Sequence, residues 1–267
     1  MNFYDAHNHL QDERFAGRQA ELVATARVAG VARMVVNGSC EEDWPHVAAL
    51  AREFPDLVVP SFGYHPWYLY ERTPRWRETL IEFLEGTPGA VVGESGLDRW
   101  KPDLPYDGQE EVFLAQLALA AERNLAASLH CLQTWGRMLE LLRTHARPAR
   151  GFVLHSYGGP AKMVPPLAKL GAHFSFPGYF MHARKARQRE AFKVVPLDRL
   201  LIETDAPDQR LPDAANAHPL TDPRNGESLN HPANLAAVYR FVAELRGAPL
   251  AELAAQVETN FTKLFGS

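Results

Sequence analysis

The chain has 267 residues, 46% hydrophobic and 22% charged, with a net charge of −4. These values describe a globular protein large enough to bury its own core, and the length matches one (β/α)8 unit. They do not indicate a broad basic surface for non-specific nucleic-acid binding, although a local basic site stays open. No apolar run is long enough to span a bilayer, so no membrane association is expected. The first residues, MNFYDAHNHL, lack the basic and apolar regions of a signal peptide. The two cysteines, Cys40 and Cys131, sit in no CxxC pattern, so a reducing, cytoplasmic setting is expected. Without repeats, low-complexity tracts or linkers, residues 1–267 are expected to form a single domain, and no obligate protein partner is evident.

Short β-type runs alternate with longer helical stretches. The first strand, Phe3–Ala6, leads into His7-Asn8-His9. Strands follow at Arg33–Asn37 and at Val58–Phe62, which runs into Gly63-Tyr64-His65-Pro66. The fourth, Ala90–Glu94, stops on Glu94, the fifth, Ala126–His130, on His130, and the sixth, Gly151–His155, on His155. The seventh is Ala172–Phe176, and the eighth, Leu200–Asp205, ends with Glu203 and Asp205. Between them, segments such as Glu111–Arg123 and Trp135–Thr144 carry apolar residues at helical spacing, and the last helix is Leu250–Leu264. Eight strands alternating with helices predict an α/β fold, the (β/α)8 TIM barrel. A doubly wound open sheet is the alternative, but it calls for a glycine-rich first turn where this chain has His-Asn-His.

In an extended chain His7 and His9 point to the same face, so both imidazoles can reach one ion. An isolated H-x-H is weak evidence; the weight comes from the other strand ends. The C-terminal ends of barrel strands converge on one mouth, where active sites lie. Four histidines and at least two carboxylates would meet there, more than the four ligands of a closed structural zinc site. The set suits two divalent ions about 3.5–4 Å apart, which clamp the attacking and leaving oxygens of a displacement and lower the pKa of a water. Imidazole and carboxylate donors accommodate zinc, manganese, nickel or magnesium.

The order H-x-H, GYHPW, GESGLD, a strand-end His, LHSYGG and IETDAP resembles the TatD family of metal-dependent nucleases, within the wider amidohydrolase superfamily. The resemblance runs from Tyr4 to Phe265 and includes QEEVFLAQLALAAERNLAASLH at 109–130 and the ending NFTKLFG. It implies that His7 and His9 are first-strand ligands, that Glu94 bridges two ions, and that His130 and His155 hold the second. It also implies that Asp205 is a ligand that orients or deprotonates the water, assisted by Glu203 on the same strand face, and that His65 lies near the scissile phosphate. The implied activity is phosphodiester hydrolysis, DNase-like, on nucleic-acid ends, with single-stranded DNA as the expected substrate. The fifth strand ends in His130 rather than lysine, which argues against a carbamylated-lysine bridge. The chain departs from the family at Asn230-His231-Pro232, where Asn-Glu-Pro is frequent, and at His155-Ser156-Tyr157-Gly158-Gly159, where His-Cys-Phe-Ser-Gly is frequent. Neither change removes a ligand. A small-molecule amidohydrolase or esterase on the same scaffold is the alternative function.

Several residues stand outside these motifs. Arg184, Lys185, Arg187 and Arg189 follow the seventh strand, on a helix expected to start near His182. Cations in the first turns of a helix oppose its dipole, so Arg184 or Arg187 is expected to contact substrate phosphate, the alternative being a solvated face with salt bridges to Glu190 or a neighbouring helix. Trp67, Tyr68 and Tyr70 either stack on bases or pack a loop onto the barrel top. Ala206–His231, with four prolines, is expected to cover the site. His46, His145, His173, His182 and His218 show no partner pattern and are expected to be surface or helix histidines; His173 lies near the start of the seventh strand, away from the mouth.

Overall fold

In a computed structural model that describes residues 1–266, eight parallel strands form one sheet in sequential order. They are β1 (Phe3–Asn8), β2 (Val31–Asn37), β3 (Val58–Phe62), β4 (Val91–Asp98), β5 (Ala127–Leu132), β6 (Phe152–Leu154), β7 (Ala172–Pro177) and β8 (Leu200–Glu203). Nearly every strand residue is buried, as expected when a parallel sheet is covered on both sides. The helices are α1 (Gln19–Val28), α2 (Trp44–Glu53), α3 (Trp76–Gly86), α4 (Gln109–Arg123), α5 (Trp135–Thr144), α6 (Val164–Lys169), α7 (Ala186–Val194), α8 (Leu235–Arg246) and α9 (Leu250–Phe265). Each turns an apolar stripe to the sheet; on α5 it is Met138, Leu139, Leu141 and Leu142, and on α9 it is Leu253, Val257, Phe261 and Leu264.

The sheet closes where β1 meets β8. Asp205 donates its backbone N–H to His7 O (2.9 Å), and His9 donates to Ala206 O (2.8 Å). Asp5, wholly buried, accepts from Thr204 N (2.9 Å) and Thr204 Oγ1 (2.5 Å). This is a (β/α)8 barrel, not an open doubly wound sheet. The closing seam also carries His7, His9 and Asp205, so barrel closure and site assembly depend on the same backbone bonds.

Four features differ from the sequence reading. β4 continues four residues past Glu94, because Ser95–Asp98 stay paired with Leu129–Leu132 of β5. Gly93 makes this possible: its φ is +146°, and a Cβ there would lie 2.6 Å from Ser128 O. β8 ends at Glu203 rather than Asp205, because Asp205 takes a left-handed conformation (φ +53°) that swings it out of the strand. The helix expected near His182 begins at Ala186, after a 3-10 turn over Ala183–Lys185, so Arg184 and Lys185 precede it. Finally, α8 lies between the segment after β8 and α9, ending on Gly247 in the left-handed cap conformation.

Candidate metal centre

At the C-terminal mouth the strand ends converge on Glu94. Its Oε2 lies 3.3 Å from His7 Nε2 and 3.3 Å from His9 Nε2. Its Oε1 lies 2.9 Å from His130 Nδ1 and 2.7 Å from His155 Nε2. Asp205 Oδ1 completes the first group, 3.7 Å from His7 Nε2 and 3.5 Å from His9 Nε2. The six residues expected as ligands are therefore together, all but His9 buried; Glu94 Oε2 faces His7 and His9, and its Oε1 faces His130 and His155.

Outer hydrogen bonds fix which ring nitrogens face inward. His9 Nδ1 is 2.8 Å from the carbonyl of Asn37, so it carries the hydrogen and the neutral ring presents a lone pair at Nε2. His130 Nε2 is 2.9 Å from Asp98 Oδ2, so its Nδ1 presents a lone pair toward Glu94 and toward His155 Nε2 at 3.1 Å. Lone pairs and carboxylate oxygens thus crowd a buried space, an arrangement that repels itself unless cations or extra protons fill it. The donor chemistry fits divalent metal ions, with a carboxylate–histidine contact behind a ligand as metal sites employ. Burial lowers the affinity of these histidines for protons, yet Asp205 and Glu94 outweigh it at His9, whose pKa is raised well above the ordinary value, and Glu94 outweighs it at His155, raised to about 9.

His65 differs from the others. Its Nδ1 accepts from Trp67 N (3.2 Å), so in the neutral ring the hydrogen sits on Nε2, 3.4 Å from Glu94 Oε1. Burial holds its pKa down at about 4. It offers a donor to the mouth rather than a lone pair to an ion.

Glu203 does not join the cluster. Its Oε1 accepts from Ser156 N (2.7 Å) and Ser156 Oγ (2.6 Å), and its Oε2 accepts from Ser175 Oγ. It sits behind His155, with Oε1 3.9 Å from His155 Nδ1, and burial raises its pKa to about 7. Expected from the sequence to assist Asp205, it is placed by the structure in the wall behind His155, bonded to Ser156 and Ser175.

Sequence reasoning missed two polar neighbours. Asp98 orients His130, and its Oδ2 also accepts from Trp67 Nε1 (2.9 Å). Its position four residues after Glu94 on one strand, hence on the same face, was the available signal. Gln209 donates from Nε2 to Asp205 Oδ2 (2.8 Å) and to Ser156 Oγ. Nothing in the sequence pointed to it, because the contact depends on the left-handed turns at Asp205 and Gln209.

The cluster opens into a cleft of about 2160 Å³. Trp67, Tyr68, Arg184, Lys185 and Arg187 line it, whereas Tyr70, 67% exposed, does not. Arg189 instead donates to Phe180 O and His182 O, both at 2.7 Å, and ties its loop together. The alternative pairing with Glu190 is taken by Lys193 (2.8 Å). The segment after β8 reaches the cleft through Pro207–Leu211 and Glu227–Leu229 and contains a short hairpin, Leu220–Thr221 against Ser228–Leu229. His231 caps a 3-10 turn through Nδ1, which accepts from Ala233 N (2.9 Å). Of the histidines without a sequence pattern, His173 is buried in β7 with neither ring nitrogen bonded.

A model of the family described as TatD related DNase matches residues 4–266. The chain belongs to the TatD family. Among its relatives, the 3'-5' ssDNA/RNA exonuclease TatD of Erwinia tasmaniensis is 32% identical over 263 residues, covering 98% of this chain and 99% of that protein. The uncharacterized metal-dependent hydrolase YjjV of Escherichia coli K12 is 30% identical over 267 residues, covering 98% and 97%. The crystal structure of E. coli YjjV, a TatD homologue, superposes with a TM-score of 0.89 at 29% identity, covering 99% of this chain and 98% of that one. Family membership makes this TatD chain a DNase-related hydrolase, and the buried histidine–carboxylate clusters support divalent metal binding. No described helix is long and apolar enough to cross a membrane.

Proposed function

We propose that the chain hydrolyses phosphodiester bonds at nucleic-acid ends, using two divalent ions held by His7, His9, Glu94, His130, His155 and Asp205. The observation that carries this reading is Glu94, whose Oε2 faces His7 and His9 while its Oε1 faces His130 and His155, with the His65 Nε2 also 3.4 Å from Oε1. His7, His9 and Asp205 would hold one ion, His130 and His155 the other, and Glu94 would bridge them. Ions so held supply an acidified water and neutralise charge on the phosphoryl group.

The side chains then divide the remaining work. Asp205 accepts the proton of the attacking water while Gln209 keeps its carboxylate oriented. The His65 Nε2–H, neutral at ordinary pH, donates to a phosphate oxygen as negative charge builds there. Water adds at phosphorus, the P–O ester bond breaks, and the departing oxygen takes up a proton from solvent while Asp205 returns the one it accepted.

Arg184 and Arg187 receive the neighbouring phosphate, and the names of TatD relatives favour single-stranded DNA or RNA. The cleft exceeds the roughly 300–1,000 Å³ typical of small-ligand pockets, which favours a polymer over a small amide or ester. The test is to load the metal-stripped protein with zinc, manganese, nickel or magnesium and offer linear and circular single-stranded DNA, duplex DNA, RNA and simple amides and esters. Linear single strands shortened from an end, with circles resistant, are expected. Circles cut as fast as linear strands would refute end recognition, and turnover of only small amides or esters would favour the amidohydrolase reading.

A further inference from the structure

Trp100 is 57% exposed at the lip of the cleft. Its ring lies nearly parallel to that of Trp67, at 23° with centroids 6.4 Å apart. Trp67 is held firmly: its Nε1–H donates to Asp98 Oδ2, the oxygen that also receives His130 Nε2. A fixed chain of contacts therefore runs from His130, through one carboxylate, to an aromatic surface open to solvent. Lys101 adds a cation, its Nζ 4.9 Å from the Trp67 centroid. Packing accounts for Trp67 but not for an indole left mostly in water, where its apolar area gains nothing. A flat apolar face beside a cation, one residue removed from a hydrolytic cluster, is complementary to a repeating unit that joins a planar ring to a phosphate.

We infer that Trp67 and Trp100 form a stacking step for a nucleobase adjoining the scissile phosphate, with Lys101 attracting that nucleotide's phosphate. The inference rests on the nucleic-acid reading above and deepens it. Stacking on a π-face tolerates any base but requires the face to be free, so the step selects unpaired ends and is indifferent to sequence. Inside a duplex both faces are covered by neighbouring pairs, and a terminal paired base is held to its complement and cannot turn into the cleft without breaking that pair.

The experiment combines a protein change with a substrate change. Binding of end-labelled single-stranded oligonucleotides to the chelated, full-length protein is measured by fluorescence anisotropy at low salt. One abasic site is moved through the last four positions, with wild type, Trp100→Ala and Trp100→Phe. KM for the same strands is measured on the metal-loaded proteins. Trp100→Ala is expected to weaken binding of the intact strand by about tenfold, Trp100→Phe to retain most of it, and KM to rise with little change in kcat. At one abasic position the penalty in wild type should vanish in Trp100→Ala, because both changes remove the same stacking interaction. If the two penalties simply add at every position, or Trp100→Ala binds as tightly as wild type while wild type still degrades the strands, the stacking step is wrong and the nuclease reading stands. If wild type neither binds nor degrades any nucleic acid, the reading beneath it fails and takes the inference with it.

Discussion

His130 lies between two carboxylates, its Nε2 2.9 Å from Asp98 Oδ2 and its Nδ1 2.9 Å from Glu94 Oε1; with the hydrogen on Nε2, the neutral ring turns its Nδ1 lone pair toward Glu94. Asp98 suits the role. Although burial works against its charge, hydrogen bonds from His130, Trp67 and Trp100 hold its pKa down at about 2, so it stays a carboxylate. Asp98→Ala leaves His130 free to present a hydrogen to the cluster instead of a lone pair. On the two-ion proposal, we expect a loss of about 10- to 100-fold in affinity at the position held by His130, with the other nearly unchanged. Competition with a chromophoric chelator measures both. Two ions bound as tightly as in wild type would show that Asp98 merely anchors Trp67.

This pair also marks how far the sequence can be read. The strand-end residues are legible because barrel topology brings C-terminal strand ends together whatever the details of packing, so Glu94, His130 and His155 follow from strand phase alone. What sits behind the ligands is not. Asp98 is hidden if β4 is ended at Glu94, although the strand stays paired to Asp98. Glu203 shares the β8 face with Asp205, which suggests a catalytic part, but Ser156 and Ser175 occupy both its oxygens, and the left-handed turn at Asp205 carries only that residue to the cluster. Gln209 depends on a second such turn, and single-residue φ values of this kind leave little trace in an amino-acid pattern.

The protonation of the metal-free cluster sets the pH dependence of loading. Burial opposes a charge on His155 and His9, but Glu94 raises the first to about 9, and Asp205 with Glu94 raises the second well above its ordinary range. At pH 7 the metal-free protein therefore holds protons that an ion must displace. Loading releases protons, so affinity increases as pH rises toward 9 and falls toward acid. Titration calorimetry in buffers of different ionisation enthalpy should register about one to two protons released per chain at pH 7. Release near zero would mean that the histidines are already neutral and that the crowding of lone pairs is relieved some other way.

Asp205 is assigned both to an ion and to the water. An amide at this position cannot carry the charge or accept the proton, and it would turn its own N–H toward either Gln209 or the imidazoles. Asp205→Asn should keep its fold, judged by circular dichroism and melting temperature, and lose at least about 100-fold in kcat. Near-wild-type turnover after chelation and reloading would remove Asp205 from the mechanism.

Arg184 and Arg187 are exposed on the cleft lip, and among the described residues neither takes part in an ion pair; Arg184 Nη2 donates only to Tyr179 Oη (3.1 Å). Two uncompensated cations, Arg184 just before α7 and Arg187 in its first turn, do nothing for that helix, whose N-terminal dipole repels them. An anionic strand would stabilise both. Counterion release gives this a direct readout: removing one cation that neutralises a phosphate of a single strand flattens the plot of log K against log salt by about 0.7. Arg184→Ala and Arg187→Ala should each lower that slope while leaving the melting temperature unchanged. Arg189→Ala supplies the contrast, because Arg189 spends its guanidinium on two backbone carbonyls of its own loop. It should cost about 1–3 kcal/mol of stability through the unpaired groups left behind and leave the salt slope alone. If Arg184→Ala and Arg187→Ala both keep the wild-type slope, the phosphate track does not cross α7, and the strand must leave the mouth past Trp100 and Lys101 without touching this side of the cleft.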